Sequence, residues 1–311
     1  MIPTILITID VEDWFQVENF RPWIPFETWD QRELRVENNT HRLLDLFDSI
    51  ELQPPSLPAS KPQTDDYELS AMSYEKSHPK ATFFILGWLA ERLPHLVREI
   101  LSRGHEIASH GYNHNLCNQL SDIEFKKDLI DSKNRLQDIT GSAVAGYRAP
   151  NFSVNDDVLK IVEDCGFGYD SSYNSFGLHG RYGKISLNGH TKKGIAHRIS
   201  DNFFELPISN LMLKGRAFPL GGGGYFRLIP FSAFKMGVKR ILKNDGVYVF
   251  YAHPWEFDPD QPVVKNASTG FKFRHYLNLR KNLNKLDKFI DSFSGCQFIT
   301  CSQYLETLRQ D

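Results

Sequence analysis

The sequence is poor in cysteine. Its 311 residues hold four, Cys117, Cys165, Cys296 and Cys301, and none forms a Cys-x-x-Cys pair. This excludes a disulfide framework and points to free thiols in a reducing compartment. Long apolar runs are also missing. The longest, Ala81 to Ala90, is about half of the roughly 20 residues that a membrane helix needs, so no transmembrane segment is expected. Neither sign of charge dominates: 36 Lys and Arg face 38 Asp and Glu. A near-neutral chain lacks the basic footprint of a nucleic-acid binder. Met1-Ile2-Pro3 runs straight into strand-like sequence, without a basic start, apolar stretch and cleavage site. The expected protein is soluble and cytoplasmic, with any membrane association peripheral and through a lipid-linked substrate.

What is present suits one large folded unit. Hydrophobic residues make up 41% and charged residues 24%, enough for a sizeable core and unlike fibrous or disordered chains. Aromatics reach 13%, which suits sugar-stacking surfaces and a large core equally. No internal repeat and no second compositional domain is visible, so residues 1–311 read as one domain.

Strand and helix patterns alternate along the chain. Ile5–Ile9, Ala81–Leu86, Glu106–Ser109, Val144–Tyr147, Phe204–Ile208, Val247–Tyr251 and Phe298–Thr300 read as strands. Thr40–Ile50, Pro94–Ser102, a segment opened by the capping box Ser121-Asp122-Ile123-Glu124 and closed by Gly141, a segment capped by Asn155, and Leu277–Phe293 read as helices. The alternation predicts an α/β fold with a mainly parallel sheet, open or closed. Glu51–Lys80 breaks the pattern with five prolines among polar residues and reads as a flexible surface insertion.

Four of the apolar strands run into polar residues. Ile5–Ile9 ends at Asp10, followed by Val11-Glu12-Asp13; Glu106–Ser109 ends at His110, with His114 four residues further on. Val144–Tyr147 ends at Arg148-Ala149-Pro150, and Val247–Ala252 ends at His253-Pro254-Trp255-Glu256. In parallel α/β folds the carboxyl ends of the strands share one face, and sites form there. Two imidazoles spaced i, i+4 beside an acidic strand end suit Zn²⁺ or a similar divalent ion with an open position. Asp10, Glu12 and Asp13 compete for two jobs, general base and third metal ligand. Asp10 and Glu12 point the same way in an extended strand, whereas a turn after Val11 would present Asp13. Arg148, at the end of its strand, is placed to hold Asp10 as a carboxylate, and His253 to donate a proton. His105 reads as core, and His179, His190 and His197 as solvated. Gly221-Gly222-Gly223-Gly224 lacks the tail of a phosphate loop. It is either a flexible connector or backbone that must approach something closely.

Taken together, Ile7-Thr8-Ile9-Asp10, Ser109-His110-Gly111-Tyr112-Asn113-His114, Arg148-Ala149-Pro150 and Tyr251-Ala252-His253 resemble, in order, the motifs of polysaccharide deacetylases of carbohydrate esterase family 4. The similarity is closer to the subgroup found with exosortase and exopolysaccharide loci. It rests on Asp10–Phe15, Ala81–Phe84, Gly221–Pro230 and His253–Pro259, and covers nearly the whole chain except Glu51–Lys80. The resemblance implies a distorted (β/α)₇ barrel, one divalent metal, usually zinc, and removal of N-acetyl groups from an N-acetylated oligo- or polysaccharide. It puts metal ligands at His110 and His114, the base at Asp10, its orienting arginine at Arg148 and the acid at His253. The usual second aspartate of the first motif is Val11 here, which moves the third ligand to Glu12 or Asp13. Trp14, Tyr112, Pro150, Asn151, Tyr225 and Trp255, in or beside these motifs, are expected to contact substrate. Rival readings are hydrolysis of another amide or ureide on the same barrel, and a non-catalytic glycan-binding protein.

Overall fold

Eight consecutive buried residues, Thr4–Val11, form the first strand, β1, in this computed structural model, which describes residues 2–53, 77–176 and 182–309. The two faces of β1 meet different surroundings. Ile5, Ile7, Ile9 and Val11 join the larger apolar cluster, with Leu43, Phe47 and Leu96 of two flanking helices. Leu6 joins a second cluster with residues of other strands, Phe84, Ala108, Phe204 and Val249. Period-two alternation puts Thr8, Asp10 and Glu12 on the side of Leu6, so this inner side is apolar at one end and acidic at the other.

The remaining strands are β2 (Ala81–Ile85), β3 (Glu106–Ser109), β4 (Gly146–Tyr147), β5 (Tyr169–Asp170), β6 (Thr191–Lys193), β7 (Ala196–Arg198), β8 (Phe204–Glu205), β9 (Asn210–Leu213), β10 (Arg216–Pro219), β11 (Val247–Ala252) and β12 (Gln297–Phe298). The main sheet runs β11-β1-β2-β3-β4-β5-β8-β7-β6, and β12 also pairs with β1. All pairings from β11 to β8 are parallel, and the β8-β7-β6 end is antiparallel. The sheet curls into a distorted half-barrel. Across the opening, the Ser209 hydroxyl accepts from the Val249 amide at 2.9 Å, and Gly221 O accepts from the Tyr251 amide at 2.7 Å.

Helices cover the outside. Asp122–Thr140 opens on the Ser121/Glu124 capping box and ends at Gly141 in the left-handed region, φ 65°. Pro94–Ser102 has the expected bounds. The first helix, Val36–Ser49, starts four residues before the expected Thr40, because the Asp13 carboxylate accepts the amides of Arg35 and Val36. A final helix, Cys301–Arg309, opens on a Thr300/Gln303 capping box that was not anticipated: the Thr300 amide donates to Gln303 Oε1 at 3.0 Å and the Gln303 amide to Thr300 Oγ1 at 3.2 Å. Its first amides, of Cys301 and Ser302, donate to Thr82 Oγ1 and Glu106 Oε2, some 200 positions earlier in the chain. Strand β5, the β6–β7 and β9–β10 hairpins and the helix Phe231–Asp245 were likewise not anticipated. Most of the Glu51–Lys80 insertion lies outside the described residues, as does His179. At its described ends the Leu52 amide donates to Ser77 O at 2.9 Å. Among the described residues, no helix is long and apolar enough to cross a membrane.

The four-glycine run is a packing device. A Cβ on Gly222, at φ 131°, would lie 1.9 Å from Tyr251 O. Only glycine lets this backbone lie against β11.

His105 is core, and this has a consequence for stability. Its Nδ1 accepts from the Ala81 amide at 3.2 Å, and its Nε2 is buried without a partner. Burial first, then the charge of Lys80, pushes its pKa down from 6.5 to about 4. Below pH 6.5 the unfolded chain therefore binds a proton that the folded chain refuses. The stability from neutral His105 is complete above pH 6.5 and is lost as the pH falls through 4, by at most about 3 kcal/mol. His105→Asn keeps an acceptor for Ala81. Denaturation at pH 7.5 and pH 4.5 should show a smaller pH-dependent loss in this variant than in wild type; equal losses would remove His105 from the account.

Candidate metal centre and catalytic cavity

Glu12, His110 and His114 come together at the carboxyl end of the sheet. Glu12 Oε1 lies 3.1 Å from His110 Nε2 and 3.0 Å from His114 Nε2, and all three residues are buried. His110 follows β3, and its Nδ1 lies 2.8 Å from Arg148 O. The Nδ1–H donates to that carbonyl, which leaves Nε2 as the lone-pair nitrogen. A bare imidazole nitrogen and a carboxylate oxygen at 3.1 Å repel unless a cation or proton stands between them. The donor chemistry therefore fits a divalent ion, two imidazoles and one carboxylate leaving a position open. Burial alone would raise the Glu12 pKa, but the charges of His114 and His253 and the bonds from both ligand-pair histidines hold it well below its ordinary value.

Asp13 lies elsewhere. β1 ends at Val11, and the Asp13 carboxylate turns to backbone amides instead of the histidines. Its Oδ1 accepts the Trp14 amide at 2.8 Å, and its Oδ2 accepts those of Arg35 and Val36 at 2.7 and 2.9 Å. Burial raises its pKa to about 6, against the pull of these three amides. The alternative in which Asp13 joins the histidines is thus not the arrangement found; its carboxylate tethers the first helix.

The loop carrying the histidines is strained and braced. His114 sits at φ 56°, and the neighbouring Asn151 and Phe152 at 52° and 57°, all left-handed without being glycine. The half-buried Asp128 carboxylate accepts the amides of Tyr112 and Asn113. Burial raises its pKa, partly offset by those two bonds.

Arg148 is fully buried, and every polar contact of its guanidinium is made. It donates to Asp10 Oδ1 and Thr8 Oγ1, both at 2.7 Å, and to Ser171 O and Oγ at 2.8 Å. The guanidinium also lies 4.1 Å from the centroid of the Phe84 ring. This aims Asp10 Oδ2 toward His253, whose Nε2 is 3.8 Å away and equally 3.8 Å from Glu12 Oε1. Three carboxylates surround this imidazole, since Glu256 Oε1 is 3.7 Å from Nδ1. Burial opposes its charge, but Glu12, Glu256 and Asp10 outweigh burial and raise the pKa to about 9.

These groups line a cavity of about 110 Å³ with Asp10, Glu12, His114, Asn151, His253 and Trp255 among its walls. Trp255 stacks between His253 and His275, at centroid distances of 5.2 and 4.2 Å. Asn151 Nδ2 is buried and unpartnered. Pro150 is buried beside Gly111. Four expected substrate contacts, Pro150 and three others, are not among the described residues lining this cavity. Trp14 packs edge-on against Phe15 and donates to Glu33 O. Tyr112 lies over Gly87 and donates to Glu91. Tyr225 sits in an adjoining groove, 5.8 Å from the Arg274 guanidinium. Arg227, Arg274, His275 and Tyr182 line the cavity without having been singled out. They lie on helices and loops whose approach to the strand ends has no short-range signal.

Residues 67–169 match the family model described as Polysaccharide deacetylase, and residues 171–306 match a Domain of unknown function (DUF3473). The first match holds His110, His114 and Arg148, the second holds His253, and β1 precedes both. Among curated proteins, the chain is 38% identical over 94 residues to the peptidoglycan deacetylase-like protein FGM2 of Gibberella zeae, covering 30% of this chain and 28% of that one. It is 33% identical over 88 residues to a peptidoglycan-N-acetylglucosamine deacetylase of Bacillus cereus, covering 28% and 41%. The matched part thus spans less than half the length of these relatives. A Mycobacterium smegmatis structure assigned to the polysaccharide deacetylases superposes with a TM-score of 0.59 at 18% identity, over 99% of this chain and 90% of that one. The Puue allantoinase superposes with a TM-score of 0.54 at 14% identity, over 96% and 88%. At these identities the two structures establish the shared fold.

Proposed function

We propose that the protein is a metal-dependent N-deacetylase acting on N-acetylhexosamine units of a glycan. The observation that carries this reading is the buried Glu12–His110–His114 cluster beside the Asp10–Arg148 pair, with His253 opposite. The match of residues 67–169 to the polysaccharide deacetylase model supports it.

Glu12, His110 and His114 would hold the ion, most simply Zn²⁺. When bound, such an ion polarises the acetyl carbonyl and makes water more acidic. The chain's own residues do the rest. Asp10, held and aimed by Arg148, takes a proton from the attacking water as its oxygen bonds to the acetyl carbon. His253, protonated by virtue of its three carboxylate neighbours, gives a proton to the departing amine as the C–N bond breaks. Water is consumed, and acetate and a free amino sugar are formed. Asn151 offers its unpartnered amide to a substrate oxygen, and Trp255 presents a ring edge to the sugar.

The test is acetate release from N-acetylglucosamine oligomers by zinc-loaded protein, with the loss of one acetyl group per event followed by mass spectrometry. Turnover that chelation stops and zinc restores is expected. Hydrolysis of a ureide such as allantoin without any acetate release would replace this reading by the other amide hydrolase.

A further inference from the structure

Three depressions adjoin one another, and the first of them holds His253. The catalytic cavity shares Gly224 and Arg274 with a groove of about 250 Å³ that Tyr225 and Phe273 help to form. Leu228, on the far side of that groove, also borders a cavity of about 400 Å³ between Leu228–Phe231 and the helix Leu279–Ser292. The third cavity has the size of a ligand site.

Its charge is one-sided. Arg280, Lys281, Lys285 and Lys288 line it, and no acidic side chain does so among the described residues. Lys281, Lys285 and Lys288 recur along one stripe of the helix, where like charges repel. Lys285 has a structural duty: its ammonium donates to Phe226 O and Ile229 O. Lys281 and Lys288 are exposed and make no ion pair among the described residues, and Arg280 approaches its acid, Asp260, only to 3.9 Å. The same helix starts at the cavity with no side-chain cap on its first amides, because the Asn278 side chain donates instead to Arg227 O. A helix start adds positive potential to that of the cations. The intervening groove is the opposite in character. Tyr225 gives it a half-buried ring, and Phe273 and Leu228 are 65% and 55% exposed.

We infer that the substrate is an acidic glycan. Its acetylated sugar enters the catalytic cavity, a neighbouring sugar lies on Tyr225 and Phe273, and a carboxylate- or phosphate-bearing unit reaches Lys281 and Lys288. This rests on the deacetylase reading of the catalytic cavity and names the class of chain it takes. A neutral glycan would leave these lysines without purpose. A purely apolar ligand would not need them, and a free anion would not need the ring-lined groove leading to the active residues.

Calorimetry at low salt tests the inference by binding alone. The probes are oligosaccharides of alternating N-acetylglucosamine and glucuronate, and chitin oligomers of equal length. The acidic oligomer should bind at least about tenfold tighter, and Lys281→Glu/Lys288→Glu should remove that preference. Lys288→Gln, a milder change, should remove part of it without moving the melting temperature. Displacement of the acidic oligomer by inorganic diphosphate from wild type, but not from the double variant, would support a phosphate-bearing unit. Equal affinity for both oligomers, or a preference that survives the double variant, overturns the inference. Preference for the acidic oligomer without acetate release would instead overturn the deacetylase reading and leave this one standing.

Discussion

Glu12→Gln should lose its divalent metal while keeping its fold. The amide fills the same space but carries no charge, and the two imidazoles that remain are too few to hold the ion. The loss should exceed about 100-fold in affinity, more than the 10–100-fold typical when a group that merely orients a ligand is removed. Metal content after zinc loading and desalting is the direct measurement, and turnover should vanish with it. Asp13→Asn is the companion. Asp13 accepts three backbone amides at 2.7–2.9 Å and approaches neither histidine. Its variant should keep metal and melt at a lower temperature. Full zinc occupancy in Glu12→Gln, or metal loss in Asp13→Asn, would reverse the assignment.

Asp10→Asn should cut turnover by about 10²–10⁴-fold with zinc still bound. An amide still accepts a hydrogen bond from Arg148 but cannot take a proton from water. The variant also leaves the Arg148 charge without its buried counter-ion, a change that costs about 3–5 kcal/mol when the partner vanishes outright. The amide retains the contact, and Thr8 and Ser171 still accept from the guanidinium, so a smaller drop in melting temperature is expected. Activity, metal content and melting temperature must be read together. Near-normal turnover would exclude Asp10 as the base. Lost turnover with lost metal would make it a ligand instead.

Both predictions depend on one network. Arg148 O orients His110, and the Arg148 guanidinium orients Asp10, so one residue after β4 positions both the Glu12–His110–His114 cluster and the proposed proton acceptor. Arg148 in turn rests on Ser171 after β5 and on Thr8 of β1. Distant changes at β5 therefore act on the chemistry through geometry, without touching substrate.

The strand-end residues were legible in the sequence because a parallel sheet aligns its carboxyl ends whatever the loops do. Asp10, His110, Arg148 and His253 each follow an apolar run, and that pattern is local. Helix bounds were legible where both caps are local, as at Ser121 and Gly141. They were not at the first helix, which Asp13 starts early from afar, whereas the last one joins its own Thr300/Gln303 capping box to the distant acceptors Thr82 and Glu106. The sequence narrowed the third member of the metal cluster to Glu12 or Asp13. Only the tertiary structure set Glu12 beside both histidines, while the amides of Arg35 and Val36 claim Asp13. Likewise the sequence marked Gly221–Gly224 as special, and only the packing of that backbone on Tyr251 explained why. The stripe of lysines at 281, 285 and 288 is plain in the sequence as charge. That it faces a cavity next to the catalytic one was decided by where the helix Leu279–Ser292 docks, which depends on contacts far apart in the chain.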